Sequence, residues 1–252
     1  MYSYIYDSFL IDKKYQNALF RIEARLLELG INGRIEKLTI LKSMKELVAD
    51  AVSRKSETIV LVGNDETLTK AISFLTSHKI TLGLIPIGPD NSIADMLGIP
   101  NGEKACDILS RRIIERIDLG KANGTYFLSR LEVPSMANVT LECNGYVVSA
   151  TQNSAAKICN LSMSGRGRSN PQDGIMEAII EPEDKKSIGS MFQKKYSRES
   201  VFPIKKAFIR GSQKNVSVLA DGKSTIKTPV QIEIAPKELS IIVGRNRSFR
   251  KK

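Results

Sequence analysis

The sequence predicts an α/β amino-terminal domain with a mainly parallel, doubly wound sheet, followed by an antiparallel β-sandwich. Three observations carry this expectation. Glu57–Val62 (ETIVLV) and Thr81–Ile87 (TLGLIPI) are near-continuous apolar runs bounded by turn residues, the pattern of strands covered on both faces. Helical apolar stripes separate such runs, which implies βαβ units with right-handed crossovers. From about residue 113 the period changes to short strands with frequent turn signals, the mark of an antiparallel β domain.

Taken in order, Ser3–Ile5 starts a strand. Tyr15–Leu29 places Leu19, Ile22, Leu26 and Leu29 on one helical face that stops at Gly30. Arg34–Ile40 alternates as a strand, Met44–Val52 is helical, and Leu68–Leu75 and Ile93–Leu97 are helices following the two buried strands. Ile113–Leu119 and Thr125–Val133 flank Gly120–Gly124 as a hairpin. Further strands are expected at Val139–Cys143, Tyr146–Ala150, Ala155–Leu161, Ile175–Ile180, Ile204–Ile209, Val216–Leu219, Pro229–Ile234 and Leu239–Val243, with a helix at Glu183–Lys194. The domains are therefore drawn as 1–118, 119–243 and a basic tail, 244–252.

Composition narrows the function. Hydrophobic residues make up 42% of 252, enough for real cores, so a disordered chain is excluded. No stretch is long and apolar enough to span a membrane, and the amino terminus lacks the apolar centre of a signal peptide, so a cytoplasmic protein is expected. Three cysteines without ligand spacing and a single histidine, His78, exclude a disulfide scaffold, an ordinary zinc site and His-based triads. Residues 1–150 hold 18 Lys+Arg against 18 Asp+Glu, net 0, whereas residues 151–252 hold 20 against 9, net +11. A second half so basic suits an anionic membrane surface met peripherally. Nucleic acid is the disfavoured use of that charge, since no recognition motif accompanies it. The loop Ser164–Ser169 (SGRGRS) has glycines for close approach and two arginines, which suits either a surface loop or a phosphate contact.

Two turns could hold a phosphate. Val62-Gly63-Asn64-Asp65-Glu66-Thr67 leads from a buried strand into a helix, where Gly63 and Asn64 tolerate unusual backbone angles and Thr67 can cap. Ile87-Gly88-Pro89-Asp90-Asn91 does the same after the next strand. Ligands of open α/β sheets bind at the carboxyl ends of the strands, so two such turns on neighbouring strands would face one crevice.

These residues resemble the diacylglycerol kinase catalytic family, which includes bacterial lipid kinases and sphingosine kinases and shares a distant fold with NAD kinases. Gly63-Asn64-Asp65-Glu66-Thr67 stands where the family has a GGDGT-type loop. LIPIGPDNSIADMLGIP (84–100) follows its LPxGTxND strand and helix, and IDLGKANGTYFLS (117–129) its opening of the second domain. Asn170-Pro171-Gln172-Asp173-Gly174-Ile175 resembles its PxxDGxL segment, and Asp221-Gly222-Lys223 its DGE. The resemblance implies ATP and Mg²⁺ as cofactors and transfer of the γ-phosphate to a lipid hydroxyl. It implies a nucleotide site of Gly63, Asn64, Asp65, Glu66, Thr67, Gly88 and Asn91, and a cation site of Asp173 with the carbonyls of Asn170 and Ile175. It further implies catalytic roles for Asp65 and Asp221 and a lipid substrate in the second domain. A homodimer is a further candidate partner, on which the resemblance is silent.

The departures matter equally. Asn64 and Glu66 replace glycines, Lys70 replaces the acid that follows the loop, Pro89 replaces a threonine and Asp90 a glycine. Lys223 replaces the glutamate that serves as general base in bacterial members, and a lysine cannot take a proton at neutral pH without a strongly depressed pKa. Asp65 is then the remaining base. The alternative is a kinase-fold protein that has lost transfer and binds nucleotide, an anionic lipid surface or a partner.

Overall fold

The computed structural model describes residues 1–143, 145–149, 154–162, 169–182, 199–212 and 215–249. The helix expected at 183–194, the loop 164–168, residues 150–153 and the last three residues of the tail lie outside these. The chain divides into two compact units, Met1–Asp118 with Pro236–Lys252, and Leu119–Ala235.

In the first unit β1 (Tyr2–Tyr6), α1 (Gln16–Glu28), β2 (Arg34–Lys37), α2 (Met44–Ser53), β3 (Thr58–Gly63), α3 (Asp65–Leu75), β4 (Thr81–Pro86), α4 (Ser92–Met96) and α5 (Lys104–Arg111) follow one another. The strands lie in the order β2-β1-β3-β4, and every pairing is parallel. All six residues of β3 are buried, so both its faces are covered, as the apolar run predicts. Each of Ile59, Val60, Leu61 and Val62, at most 2% exposed, contributes about 1.5–3 kcal/mol of burial. Helix α3 packs on β3 and α2, while α5 packs on β4 and is joined to α1 by Arg25–Asp107 at 2.6 Å.

Several boundaries differ from expectation. Helix α3 begins at Asp65 rather than Leu68 because Asn64 supplies a capping box with Thr67. The strand expected over Arg34–Ile40 ends at Lys37, and Thr39–Lys42 forms a tight turn instead. Helix α5 is an element the sequence reading does not include; its buried side chains, Ala105, Cys106 and Leu109, face the sheet over little more than one turn.

The second unit contains β5 (Ile114–Ala122, entering from the first unit), β6 (Thr125–Phe127), β7 (Arg130–Val133), β8 (Val139–Cys143), β9 (Tyr146–Ser149), β10 (Ser154–Cys159), β11 (Met176–Pro182), β12 (Ser200–Ile204), β13 (Lys206–Gly211), β14 (Ser217–Ala220), β15 (Ser224–Lys227) and the start of β16 (Val230–Ile242). One antiparallel sheet has the order β12-β11-β10-β7-β14-β15. A second group pairs β9-β8-β13-β16, again antiparallel. Both feed one core in which Phe127, Leu131, Ile158, Met176, Ile209, Val218 and Ile232 are at most 1% exposed. The run expected as one strand over Thr125–Val133 is broken at Leu128–Ser129, where the Asp221 carboxylate takes the backbone N–H groups of Leu128, Ser129 and Arg130 at 2.8, 2.8 and 3.0 Å.

The chain re-enters the first unit at Pro236, inside β16, so the second unit closes at 235 and not at 243. Lys237 turns the strand at φ +54° and donates its N–H to the buried Asp118 at 2.7 Å. Ser240 and Ile241 then extend the parallel sheet beside β4. The residues expected as a basic tail are folded as far as 249. Gly244 N–H bonds Leu97, Ser248 N–H bonds Met96, Arg247 pairs with Glu115 at 2.5 Å, and Phe249 is buried.

Candidate functional site

Three loops meet at the carboxyl edge of the parallel sheet of the first unit. They follow β1 at Asp7, β3 at Gly63 and β4 at Pro86. Ile87 N–H bonds the Gly63 carbonyl at 2.8 Å and Asp65 N–H bonds the Asp90 carbonyl at 2.9 Å, which joins the second and third loops directly. The seven residues expected around a nucleotide, Gly63, Asn64, Asp65, Glu66, Thr67, Gly88 and Asn91, are therefore neighbours. Gly63, Asn64, Asp65, Pro86 and Asn91 line one small pocket with Leu61, Leu68, Leu84 and Ala94.

Close packing dictates the residue types. A Cβ on Gly63 would lie 2.2 Å from Thr67 Oγ1, so only glycine lets α3 begin there. Gly88 has φ +89° and Asp90 φ +60°; aspartate is among the few side chains that tolerate the left-handed region. The Phe9 ring lies 3.1 Å from where a Gly88 Cβ would be, and Phe9 meets Tyr15 edge to face at 5.4 Å.

Thr67 ties the loops of β1 and β3. Its hydroxyl accepts from Asn64 N–H at 3.1 Å and donates to Asp7 at 2.7 Å, while Asn64 Oδ1 accepts from the N–H groups of Glu66 and Thr67 at 3.1 and 3.3 Å. The amides of the first turn of α3 are thus engaged within the protein, and the phosphate-facing amides must be sought at Gly88 and Asp90, whose N–H groups have no partner among the described residues. Asp7 is buried, 4% exposed, and also accepts from Ser8 Oγ at 3.1 Å. The sequence reading missed it; the signal is an acid directly after a strand of buried residues. Lys70 stands 3.0 Å from Glu66 and 3.7 Å from Asp7. The two departures, Glu66 and Lys70, therefore answer one another, and the carboxylate that would repel a phosphate is matched by a cation.

Asp65 caps α4. Its carboxylate accepts from Ser92 Oγ at 2.7 Å and from Ile93 N–H at 3.2 Å, while burial pushes its pKa up against these donors. Asn91 donates to the Gly88 carbonyl at 2.7 Å, but its Oδ1 is buried without a partner, an acceptor available to a ligand donor.

The remaining expected residues belong to the second unit. Asp221, at φ +48° in the β14–β15 turn, has its carboxylate spent on the three amides of 128–130, a structural duty; burial pushes its pKa up against those same amides. Lys223 closes that turn through its N–H to Ala220. Asp173 accepts from Ile175 N–H at 3.0 Å, and the Asn170 carbonyl accepts from Gln172 and Asp173. Ile175 thus meets Asp173 through its N–H, and no cluster of three His, Cys, Asp or Glu suited to a metal is found among the described residues. The buried thiols are inert: burial pushes Cys106 up to about 12 and Cys159 up to about 11. No helix among the described residues is long and apolar enough to cross a membrane.

The fold is shared by kinases of two kinds. The structure of a diacylglycerol kinase from Bacillus anthracis str. Sterne superposes with a TM-score of 0.79 at 19% identity, covering 98% of this chain and 97% of that one. An NAD kinase from Archaeoglobus fulgidus in complex with ATP gives 0.63 at 16%, covering 98% and 95%. Residues 6–122 match the family model of the diacylglycerol kinase catalytic domain, so the family resemblance holds over that segment. The diacylglycerol kinase of Bacillus subtilis (strain 168) is 34% identical over 84 residues, which is 32% of this chain and 28% of that protein. The chain thus matches under a third of that curated relative.

Proposed function

We propose that the protein is an ATP-dependent lipid kinase of the diacylglycerol kinase type, with a doubly wound nucleotide domain and a β-sandwich lipid domain. The observation that carries it is the meeting of the Gly63–Thr67 and Gly88–Asn91 loops at one sheet edge, within the segment that matches the family. The residues present fit a nucleotide: an orphaned acceptor at Asn91, unpartnered amides at Gly88 and Asp90, and a cation at Lys70. Bound ATP supplies the phosphoryl group, and its Mg²⁺ neutralises charge on the phosphates.

The chain's own residues position and move a proton. Gly88, Asp90 and Lys70 hold phosphate oxygens, with Gly63, Asn64 and Thr67 shaping the loop beneath them. Asn91 accepts a donor of the nucleotide. Glu66 is the half-exposed carboxylate at this edge that can share the metal, and Asp173, with the carbonyls of Asn170 and Ile175, is the cation site proposed for the second unit. The acceptor oxygen bonds the γ-phosphorus, the bond from phosphorus to the β-bridging oxygen breaks, and the hydroxyl proton passes to Asp65, whose burial makes it a better acceptor than a surface carboxylate. Asp221 contributes by fixing the 128–130 segment. The protein acts at the cytoplasmic face of an anionic membrane, where its substrate resides.

The test is label transfer from γ-labelled ATP to diacylglycerol in mixed micelles with Mg²⁺. The expected product is labelled phosphatidate; no labelled lipid from diacylglycerol or from a total lipid extract overturns the reading. Melting points raised by ATP with Mg²⁺ and unmoved by NAD would support the assigned nucleotide.

A further inference from the structure

The turn joining β2 to α2 carries a feature the catalytic reading does not use. Ile40 is 105% and Leu41 92% exposed, at the tip of a turn closed by Thr39 and Lys42, which exchange backbone hydrogen bonds at 3.2 and 3.3 Å. Thr39 Oγ1 also accepts from the N–H groups of Leu41 and Lys42. On the far side Ser43 and Glu46 form a capping box that fixes the start of α2. The tip is thus held rigidly outward. Turn tips favour Gly, Asn, Asp and Pro, and water disfavours adjacent aliphatic side chains, so both preferences are broken at the same two positions.

The surroundings specify what covers them. Residues 34–45 include four cations, Arg34, Lys37, Lys42 and Lys45, and one acid, Glu36. Glu36 is buried, and Arg34, Lys42 and Arg54 share it at 2.8, 3.2 and 2.5 Å; Lys42 also meets Asp50 at 3.3 Å, so three cations face two acids and the cluster keeps one positive charge in excess, beside Lys37 and Lys45. Aliphatic residues projecting from a basic rim are complementary to an anionic bilayer, whose acyl region takes the tip and whose headgroups take the lysines. The placement matches the task. β2 lies parallel to β1 and β3, with Lys37 and Val62 both beside Tyr6, so the turn leaves the same carboxyl edge as the candidate site.

The geometry points to the Thr39–Lys42 turn as a membrane wedge: Ile40 and Leu41 insert into an anionic phospholipid surface and set the catalytic edge of the first unit against it. This rests on the lipid-kinase reading for its purpose but not for its test.

The chain has no tryptophan, so Leu41→Trp places a single reporter at the tip. With mixed phosphatidylcholine–phosphatidylglycerol vesicles its emission should shift to the blue and be quenched by brominated acyl chains, and phosphatidylcholine alone should give neither. The double variant Ile40→Ser/Leu41→Ser should keep the wild-type melting point and lose at least about tenfold in binding to the anionic vesicles. Vesicle binding without a blue shift, or without loss in the double variant, overturns the wedge. A blue shift that grows with protein concentration in the absence of lipid also overturns it, in favour of a second copy of the chain. Turnover of diacylglycerol in detergent micelles should survive in the double variant; its absence in wild type as well would sink the kinase reading and leave the wedge standing.

Discussion

Asp65 holds Ser92 at 2.7 Å, so the residue that begins α3 also secures the first residue of α4. One carboxylate thereby locks two loops of the site, and its proton-accepting role competes with that duty. Asp65→Asn keeps an acceptor for Ser92 and removes the charge. The fold and ATP affinity should persist within a few-fold, with a loss of about 1 kcal/mol in stability, while turnover falls about a hundredfold or more. Steady-state kinetics beside ATP titration checks this; intact turnover would reduce Asp65 to a positioning residue.

Gly63→Ala should be among the most damaging single changes in the first unit. The added methyl meets Thr67 Oγ1 at 2.2 Å and Thr67 Cβ at 2.9 Å, and Thr67 is tied to Asp7. A cost of about 2–3 kcal/mol is expected from overpacking, read by chemical denaturation. Adding Thr67→Ala should recover only part of it, because the clash with Cβ stays.

The pairing of Glu66 with Lys70 predicts opposite effects on ATP. Glu66→Gln removes a nearby negative charge and leaves Lys70 with Asp7 alone, so the nucleotide titrated without Mg²⁺, the metal Glu66 can share, should bind about threefold to tenfold more tightly at low salt. Lys70→Gln should weaken binding by a similar factor, and both effects should shrink as salt is raised. Calorimetric titrations of the two variants decide it; effects of the same sign would place Lys70 away from the phosphates.

Glu36 sets an acid limit on stability. Burial alone would raise its pKa, but the hydrogen bond from Lys42 and the charges of Arg54, Lys42 and Arg34 outweigh this and hold it below the ordinary carboxylate value. Its contribution is therefore full above the unfolded-state pKa and is lost as pH falls through the lower folded-state value. Glu36→Gln should cost about 2 kcal/mol at neutral pH and nearly nothing once wild-type Glu36 is itself protonated. Denaturation curves across the acid range give the difference directly.

The parallel strands and the two site loops were legible because their signals are local. Apolar runs cannot be surface strands, and Gly63 and Gly88 sit where the backbone needs them. The misses were of another kind. Asp7 joins the site through Thr67, sixty positions away, and through Lys70, and Asp221 breaks the expected 125–133 strand from 92 positions along the chain. Arg34–Ile40 was overextended because the turn at Ile40–Leu41 contains none of the residues that normally mark turns. The seating of residues 244–249 is not legible because the arginines and lysines conceal Gly244, whose Cβ would lie 1.8 Å from the Gly98 carbonyl, an approach that only glycine allows.

The late return of β16 shapes how the chain is born. Leu82 waits for Ile241 as its neighbour, so on the ribosome β4 keeps an open edge until the chain has emerged past residue 241. The stretch 119–235, being continuous, can finish first. Nascent protein interrupted between these events would expose one unpaired edge of an apolar strand, the kind of species that chaperones retain and that aggregates without them.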